Sequence, residues 1–204
     1  MSRAAVFLDR DGVLVEEVFY PQTGEWEAPL VPEDVRLLPG AAAAARHLAQ
    51  QGFALVLVSN QAAFAKGKTT LRALWLAHER FIALLDAEGV KLDEVCYAFG
   101  HPDGVAPHFS GPSLDRKPGP YNLFIAAAKL DLDLGRSWLV GDRETDVDCA
   151  RAAGLRAIQV DNPRIRPSTT EGVIRAKDLA DAVRYIENDN GNAERRECRS
   201  VGFA

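Results

Sequence analysis

The stretch "AAVFLDRDGVL", residues 4–14, decides the fold. Residues 4–8 are an unbroken apolar run, as expected of a short strand buried on both faces of a parallel sheet. It runs directly into Asp9 and Asp11, one residue apart. Two carboxylates that close repel each other and are costly to desolvate. In an extended segment the side chains of residues 9 and 11 point to the same side. Gly12 then lets the chain turn sharply, so that backbone amides can face an anion. A carboxylate pair at the mouth of a buried strand therefore points to chemistry.

Outward from that strand, helix and strand signals alternate. "PGAAAAARHLAQQG" (39–52) predicts a helix, with Pro near its start, an alanine-rich middle and a Gly stop. "FALVLVSN" (53–60) is a second strand. Residues 69–89 carry apolar side chains at helical spacing between a threonine cap and a closing Gly, with Trp75 and Phe81 expected in the core. Residues 94–99 form a third strand, followed by a loop rich in Gly, Pro and His to residue 116. Further helices are expected over 119–132, 145–154 and 176–188, and strands over 137–142 and 155–160. The polar, aperiodic stretch 189–204 is expected to be a disordered tail, leaving one domain over 1–188. Such alternation predicts an α/β fold, a doubly wound (Rossmann-like) parallel sheet with helices on both faces. Ligands of such sheets collect beyond the carboxyl ends of the strands. That places "DRDG", "SNQ" and "GDRETD" on one rim.

The totals narrow the function. The chain has 204 residues, 47% hydrophobic and 26% charged, enough for a sizeable core. A net charge of −5 makes a sequence-independent nucleic-acid binder unexpected. The odd, scattered Cys96, Cys149 and Cys198 and the lack of a leader-like start predict reduced thiols in a cytoplasmic protein. No apolar run approaches a membrane span.

On the expected rim, Asp9, Asp11, Asp142 and Asp146 converge from separate strands. Together they call for a hard divalent cation; Mg²⁺ suits oxygen ligands and work beside phosphate. Singly, each has another reading: Asp146 can cap its helix, and Asp9 and Asp11 can bond a turn before Gly12. The hydroxyl of Ser59, with the amides of Asn60 and Gln61, can cradle a phosphate oxygen. Lys117, ahead of Pro118, is held extended by the proline, which can also open the next helix. Its ammonium can neutralise a phosphoryl group and an attacking carboxylate together.

"FLDRDGVL", "LVLVSNQ", "RKPGP" and "LVGDRETDVDCARAAG" together resemble the four ordered motifs of the haloacid dehalogenase (HAD) superfamily of phosphohydrolases, across residues 4–160. More narrowly, the set including "HPDG" resembles the branch that holds heptose 1,7-bisphosphate phosphatases and the phosphatase domain of histidinol-phosphate phosphatases. The resemblance implies Asp9 as the nucleophile that forms an aspartyl-phosphate. Asp11 is implied as the acid that protonates the leaving alcohol and then as the base that activates water. It further implies Ser59 and Lys117 on the phosphoryl group and Asp142 as a ligand to Mg²⁺. Asp146 then supports the metal or orients Lys117, and Arg116 and Arg143 contact substrate phosphate or sugar hydroxyls.

The sequence also departs from that branch, whose members often hold a structural zinc by Cys-x-His and Cys-x-Cys. Those positions fall here on Ala98, Gly100, Ser113 and Asp115, so zinc is not expected; Cys96, His101 and His108 match no standard zinc spacing. Only 26 residues separate Gly12 from Pro39, too few for a cap domain, so an open site is expected. Phe19, Tyr20 and Trp26 can pack on a substrate or pin their own loop to the body. Lys66 and Lys68 read as surface charge or as added positive potential near the phosphate. The leading expectation is a Mg²⁺-dependent phosphatase of a small sugar (bis)phosphate. Histidinol phosphate, a nucleotide or a nucleic-acid 3′ end are the alternatives. A phospho-accepting receiver module fits poorly, because its acceptor aspartate would end the third strand, and "EVCYAF" ends in none.

Overall fold

The structure, a computed structural model, describes residues 2–200, without the side chains of residues 190–200. In chain order the elements are β1 (Ala5–Leu8), β2 (Val18–Tyr20), β3 (Glu25–Glu27), α1 (Ala41–Gln50), β4 (Ala54–Asn60), α2 (Leu71–Ala87) and β5 (Glu94–Ala98). There follow α3 (Tyr121–Leu130), β6 (Trp138–Gly141), α4 (Glu144–Ala152), β7 (Arg156–Val160), β8 (Ile174–Ala176) and α5 (Leu179–Ser200). Six strands form one parallel sheet in the order β5-β4-β1-β6-β7-β8. The chain winds from β1 outward through β4 to β5, then crosses back to β6 on the other side of β1. Strand order reverses there, and the carboxyl ends of β1, β4 and β6 open onto the crevice where such sheets bind ligands.

The apolar run of residues 5–8 divides by strand period between two cores. Val6 and Leu8 face one layer with Leu55, Leu57, Ala45 of α1, Phe81 of α2 and Ile186 of α5. Ala5 and Phe7 face the other, with Val56, Leu139, Leu123 of α3 and Val147 of α4. A side chain of this size, fully buried, stabilises by about 1.5–3 kcal/mol. The register pins the site: Phe7 pairs with Val56 on one side and Leu139 on the other, and the Asp9 N–H donates to the Val140 carbonyl at 3.0 Å.

Several local expectations are corrected. Residues 18–27, read as loop, form the antiparallel hairpin β2–β3, tied down by Lys68, which pairs with Glu25 at 2.6 Å and with Glu27. Tyr20 pins this segment to the body: its hydroxyl donates to Asp34 at 2.6 Å and accepts from the Leu30 N–H at 2.9 Å. The edge strand β8 has no counterpart in the sequence reading, because three residues are too few to show a period. Trp75 is 61% exposed whereas Phe81 is fully buried. The buried stripe of α2 is Leu74, Ala77, Phe81 and Leu85, and Trp75 stands one position off it. Pro118 does not open a helix: the Lys117–Pro118 peptide is cis and α3 begins at Tyr121. The stretch from 189 expected as a tail overlaps α5, which runs to Ser200; Ala, Glu and Arg in that stretch are good helix formers. Residues 201–204 lie outside the described residues.

The 99–116 loop is ordered by its own backbone. The His101 N–H donates to Phe109, the Gly111 N–H donates to His101, each at 3.1 Å, and the Phe109 ring meets Phe64 edge-on at 5.0 Å. Ser113 bonds Asp115, two of the positions where the related branch carries zinc ligands. No helix among the described residues is long and apolar enough to cross a membrane.

Candidate active site

Four elements deliver the side chains. β1 ends in Asp9, with Asp11 in the tight turn that follows, where the Leu14 and Val15 N–H groups both donate to the Arg10 carbonyl at 2.8 Å. β4 contributes Ser59 and Asn60, followed by Gln61. β6 leads into Asp142 and Arg143, and the first turn of α4 carries Asp146.

Lys117 is the buried centre. Its Nζ lies 2.6 Å from Asp146 Oδ1 and 3.0 Å from Asp9 Oδ1 and donates to the Val58 carbonyl at 2.7 Å. Burial alone would lower its pKa, but Asp146 and Asp9 outweigh that and hold the ammonium above its ordinary range. Asn60 fixes the lysine backbone with two reciprocal bonds of 3.0 Å. Asp146 also accepts the Arg143 N–H through Oδ2 at 3.0 Å. Capping the helix and orienting the lysine, alternatives in the sequence, are here both done by one carboxylate.

Asp9, Asp142 and Asp146 form the acidic trio: each offers an oxygen, all within 4.8 Å of one another. Asp142 is fully buried. Its Oδ2 accepts from Asn162 Nδ2 at 2.7 Å, whereas Oδ1 has no hydrogen-bond partner and only Arg143 Nε nearby, at 3.7 Å. Burial, then Asp9 and Asp146, push the Asp142 carboxyl up to about 7. A buried oxygen without a partner, among three carboxylates, fits a hard divalent cation, which takes oxygen donors and offsets their repulsion. Two glycines make room for the trio. A Cβ on Gly12, whose φ is +82°, would fall 2.5 Å from Asp142 Oδ2, and one on Gly141 would overlap Asp146.

Asp11, expected among the metal ligands, is not in the trio. Its carboxylate accepts from Arg10 Nε at 3.0 Å and Gln61 Nε2 at 2.7 Å, with Ser59 Oγ at 3.5 Å. Burial raises its pKa; Arg10 opposes and Asp9 adds to the rise. Gln61 also differs from expectation. Its N–H is taken by the Ala98 carbonyl at 2.7 Å, and its side chain bridges Asp11 and Ser59 instead of facing an anion. The Asn60 side chain likewise serves Lys117.

Asp9, Asp11 and Ser59 open into a pocket of about 450 Å³, rimmed by Trp26, Lys66, Arg116 and Arg143. Arg116 donates to the Gly100 carbonyl at 3.3 Å; burial and then the nearby Arg143 charge lower its pKa. Arg10, Glu17, Asn162 and Arg164 were missed in the sequence. Asn162 follows β7 and was accessible to the same rim argument that located Asp142. Glu17 carries no local signal. Cys96, His101 and His108, weighed as a replacement zinc site, are not among the metal-competent groups of the described residues.

A family model for HAD-hydrolase-like proteins matches residues 114–185. The chain is 39% identical over 197 residues to a D-glycero-D-manno-heptose-1,7-bisphosphate 7-phosphatase of Thermosynechococcus vestitus, covering 91% of this chain and 96% of that one. It is 33% identical over 197 residues to a D-glycero-beta-D-manno-heptose-1,7-bisphosphate 7-phosphatase of Yersinia pestis, with the same coverage. Among solved structures, a HAD-like phosphatase of Mesorhizobium loti superposes with a TM-score of 0.76 at 31% identity, covering 92% of this chain and 87% of the other. The D,D-heptose 1,7-bisphosphate phosphatase of B. bronchiseptica, solved with magnesium and phosphate, shares the fold at a TM-score of 0.72 and 24% identity, covering 91% and 99%. The chain belongs to the HAD-type hydrolases. It is an enzyme, a phosphatase, and both of these full-length relatives are heptose-bisphosphate phosphatases.

Proposed function

We propose that this phosphatase uses Mg²⁺ and acts on a small sugar bisphosphate of the heptose 1,7-bisphosphate class, through an aspartyl-phosphate on Asp9. One observation carries the reading: Asp9 and Asp11 face the same pocket from unlike surroundings. Asp9 Oδ1 is held by the Arg10 N–H at 2.7 Å and by Lys117. Its Oδ2 makes no hydrogen bond among the described residues, which suits attack on phosphorus. Asp11 sits where burial favours its protonated form, as a general acid requires.

In the first step an Asp9 oxygen bonds to phosphorus and the phosphorus–ester oxygen bond breaks. Asp11 gives its proton to the departing oxygen, which leaves as an alcohol. In the second step the Asp11 carboxylate takes a proton from water, the resulting hydroxide oxygen bonds to phosphorus, and the bond to Asp9 breaks to release inorganic phosphate. Ser59 borders the pocket and can donate to a phosphoryl oxygen, while Lys117, whose three donors go to Asp9, Asp146 and the Val58 carbonyl, supplies positive charge beneath it. Bound among Asp9, Asp142 and Asp146, Mg²⁺ would supply charge compensation between a phosphate dianion and the attacking carboxylate. Arg116, Arg143 and Lys66 make the rim positive, which favours a substrate with a second phosphate or many hydroxyls.

The test is a phosphate-release panel of sugar bisphosphates, histidinol phosphate, nucleotides and oligonucleotide 3′ ends, with Mg²⁺ and with chelator. The expected result is the highest kcat/KM on a sugar bisphosphate and none after chelation. A preference for histidinol phosphate or a nucleotide overturns the substrate assignment, and chelator-resistant turnover overturns the cation.

A further inference from the structure

We propose that Glu17 is a positioning residue that holds Arg143 at the pocket rim and, through Asn162, sets Asp142 within the acidic trio. The proposal rests on reading Asp142 as a cation ligand and Arg143 as a substrate contact. Glu17 lies between the β1 turn and the hairpin, with its side chain only 3% exposed. Its Oε1 accepts from Arg143 Nη2 at 2.8 Å. Its Oε2 accepts from Arg164 Nη2 at 2.8 Å, Arg164 Nε at 3.0 Å and Asn162 Nδ2 at 3.1 Å. The same Asn162 Nδ2 donates to Asp142 Oδ2 at 2.7 Å.

The orientation of that amide is determined chemically. Asn162 Oδ1 accepts the Arg164 backbone N–H at 3.1 Å, so the nitrogen must be the atom between the two carboxylates. Glu17 thus fixes one face of Asp142 and leaves the unpartnered Oδ1 directed into the trio. Holding the ligating carboxylate by an outer hydrogen bond is the general means by which proteins tune a metal site.

The same carboxylate gathers two guanidiniums from distant parts of the chain. Arg164 also lies over the Trp26 ring at 4.3 Å, so the hairpin wall, the β7–β8 connection and Arg143 share one anchor. An ion cluster serving only to fasten the β7–β8 connection would need neither Arg143 nor the link to Asp142.

The test uses the full chain carrying Glu17→Gln or Asn162→Ala. Titration calorimetry with MgCl₂ reads cation binding, and phosphate release from a sugar bisphosphate at saturating Mg²⁺ reads KM. For Glu17→Gln we expect the Mg²⁺ Kd to rise about tenfold and KM to rise as well, with the circular-dichroism spectrum unchanged. For Asn162→Ala the Kd rises while KM at saturating Mg²⁺ stays within about twofold, because Arg143 keeps its partner. A Glu17→Gln protein with wild-type Kd and wild-type KM overturns the proposal. If Glu17→Gln does not fold, Asn162→Ala decides, and a wild-type Kd there overturns the relay. A wild-type protein that neither takes up Mg²⁺ nor releases phosphate brings down the proposed function instead, a failure visible before any variant is made.

Discussion

Two lysines on one pocket stand in opposite circumstances. Lys117 on its floor has a side chain only 2% exposed and is held by Asp9, Asp146 and the Val58 carbonyl. Lys66 on the rim is exposed and makes no ion pair among the described residues. The floor is built from the ends of β1, β4 and β6 and from Lys117, a loop residue fastened to the end of β4 by Asn60, whereas Lys66 lies on a connecting segment. Positions where charge must be placed to within fractions of an ångström are tied to the sheet. Positions that meet a variable part of the substrate are left on connecting segments.

If that contrast is right, changes on the floor act on turnover and changes on the rim act on KM. The largest effect is expected for Asp9→Asn, which removes the attacking oxygen's charge: phosphate release falls by about 10⁴-fold or more, and a substantial remaining rate excludes Asp9 as nucleophile. Next is Gly12→Ala, which combines a left-handed backbone with a Cβ driven against Asp142. It is expected to cost about 1–3 kcal/mol in chemical denaturation and to weaken cation binding.

A third expectation concerns pH. Without cation, Asp142 keeps its proton up to about 7, while in the unfolded chain an aspartate releases it near pH 4. Between those values the folded state binds the extra proton, so stability falls as pH rises through that window and stays lower above it. Mg²⁺ removes this penalty by pairing with the charged form. The rise in Tm on adding Mg²⁺ is therefore expected to be larger at pH 7.5 than at pH 5, by on the order of 5 °C; equal shifts refute the linkage.

Arg116→Ala on the rim is expected to raise KM about tenfold with kcat changed little. A fall in kcat alone would place Arg116 on the floor. The smallest effect is that of Lys68→Ala, which frees the hairpin from Glu25 and Glu27 at a cost of about 1 kcal/mol or less.

The floor was also the legible part. Asp9, Asp11, Ser59 and Asp142 all follow strand signals made by continuous apolar runs, and a doubly wound order brings such ends together; Lys117, in the loop between β5 and α3, was marked by its place before Pro118 and by the resemblance. The different roles proposed for Asp9 and Asp11 come from the resemblance. What the sequence did not disclose depends on contacts between distant residues. Glu17 meets Arg164 across 147 positions, and nothing near either predicts the other. The hairpin was hidden for a different reason, since strands of three residues show no alternation. Trp75 misled because a bulky aromatic at near-helical spacing resembles core, although one step around the helix takes it to the surface.

Asp146 narrows which substitutions this chain can survive by drift. A glutamate there can still reach back to the Arg143 N–H, but its extra methylene shifts the oxygen that pairs with Lys117. A serine there leaves a buried ammonium with one carboxylate fewer. Neither choice keeps the pairing as it stands. The start of α4 and the pairing of Lys117 must therefore be inherited together, although Asp146 itself contributes no reacting atom.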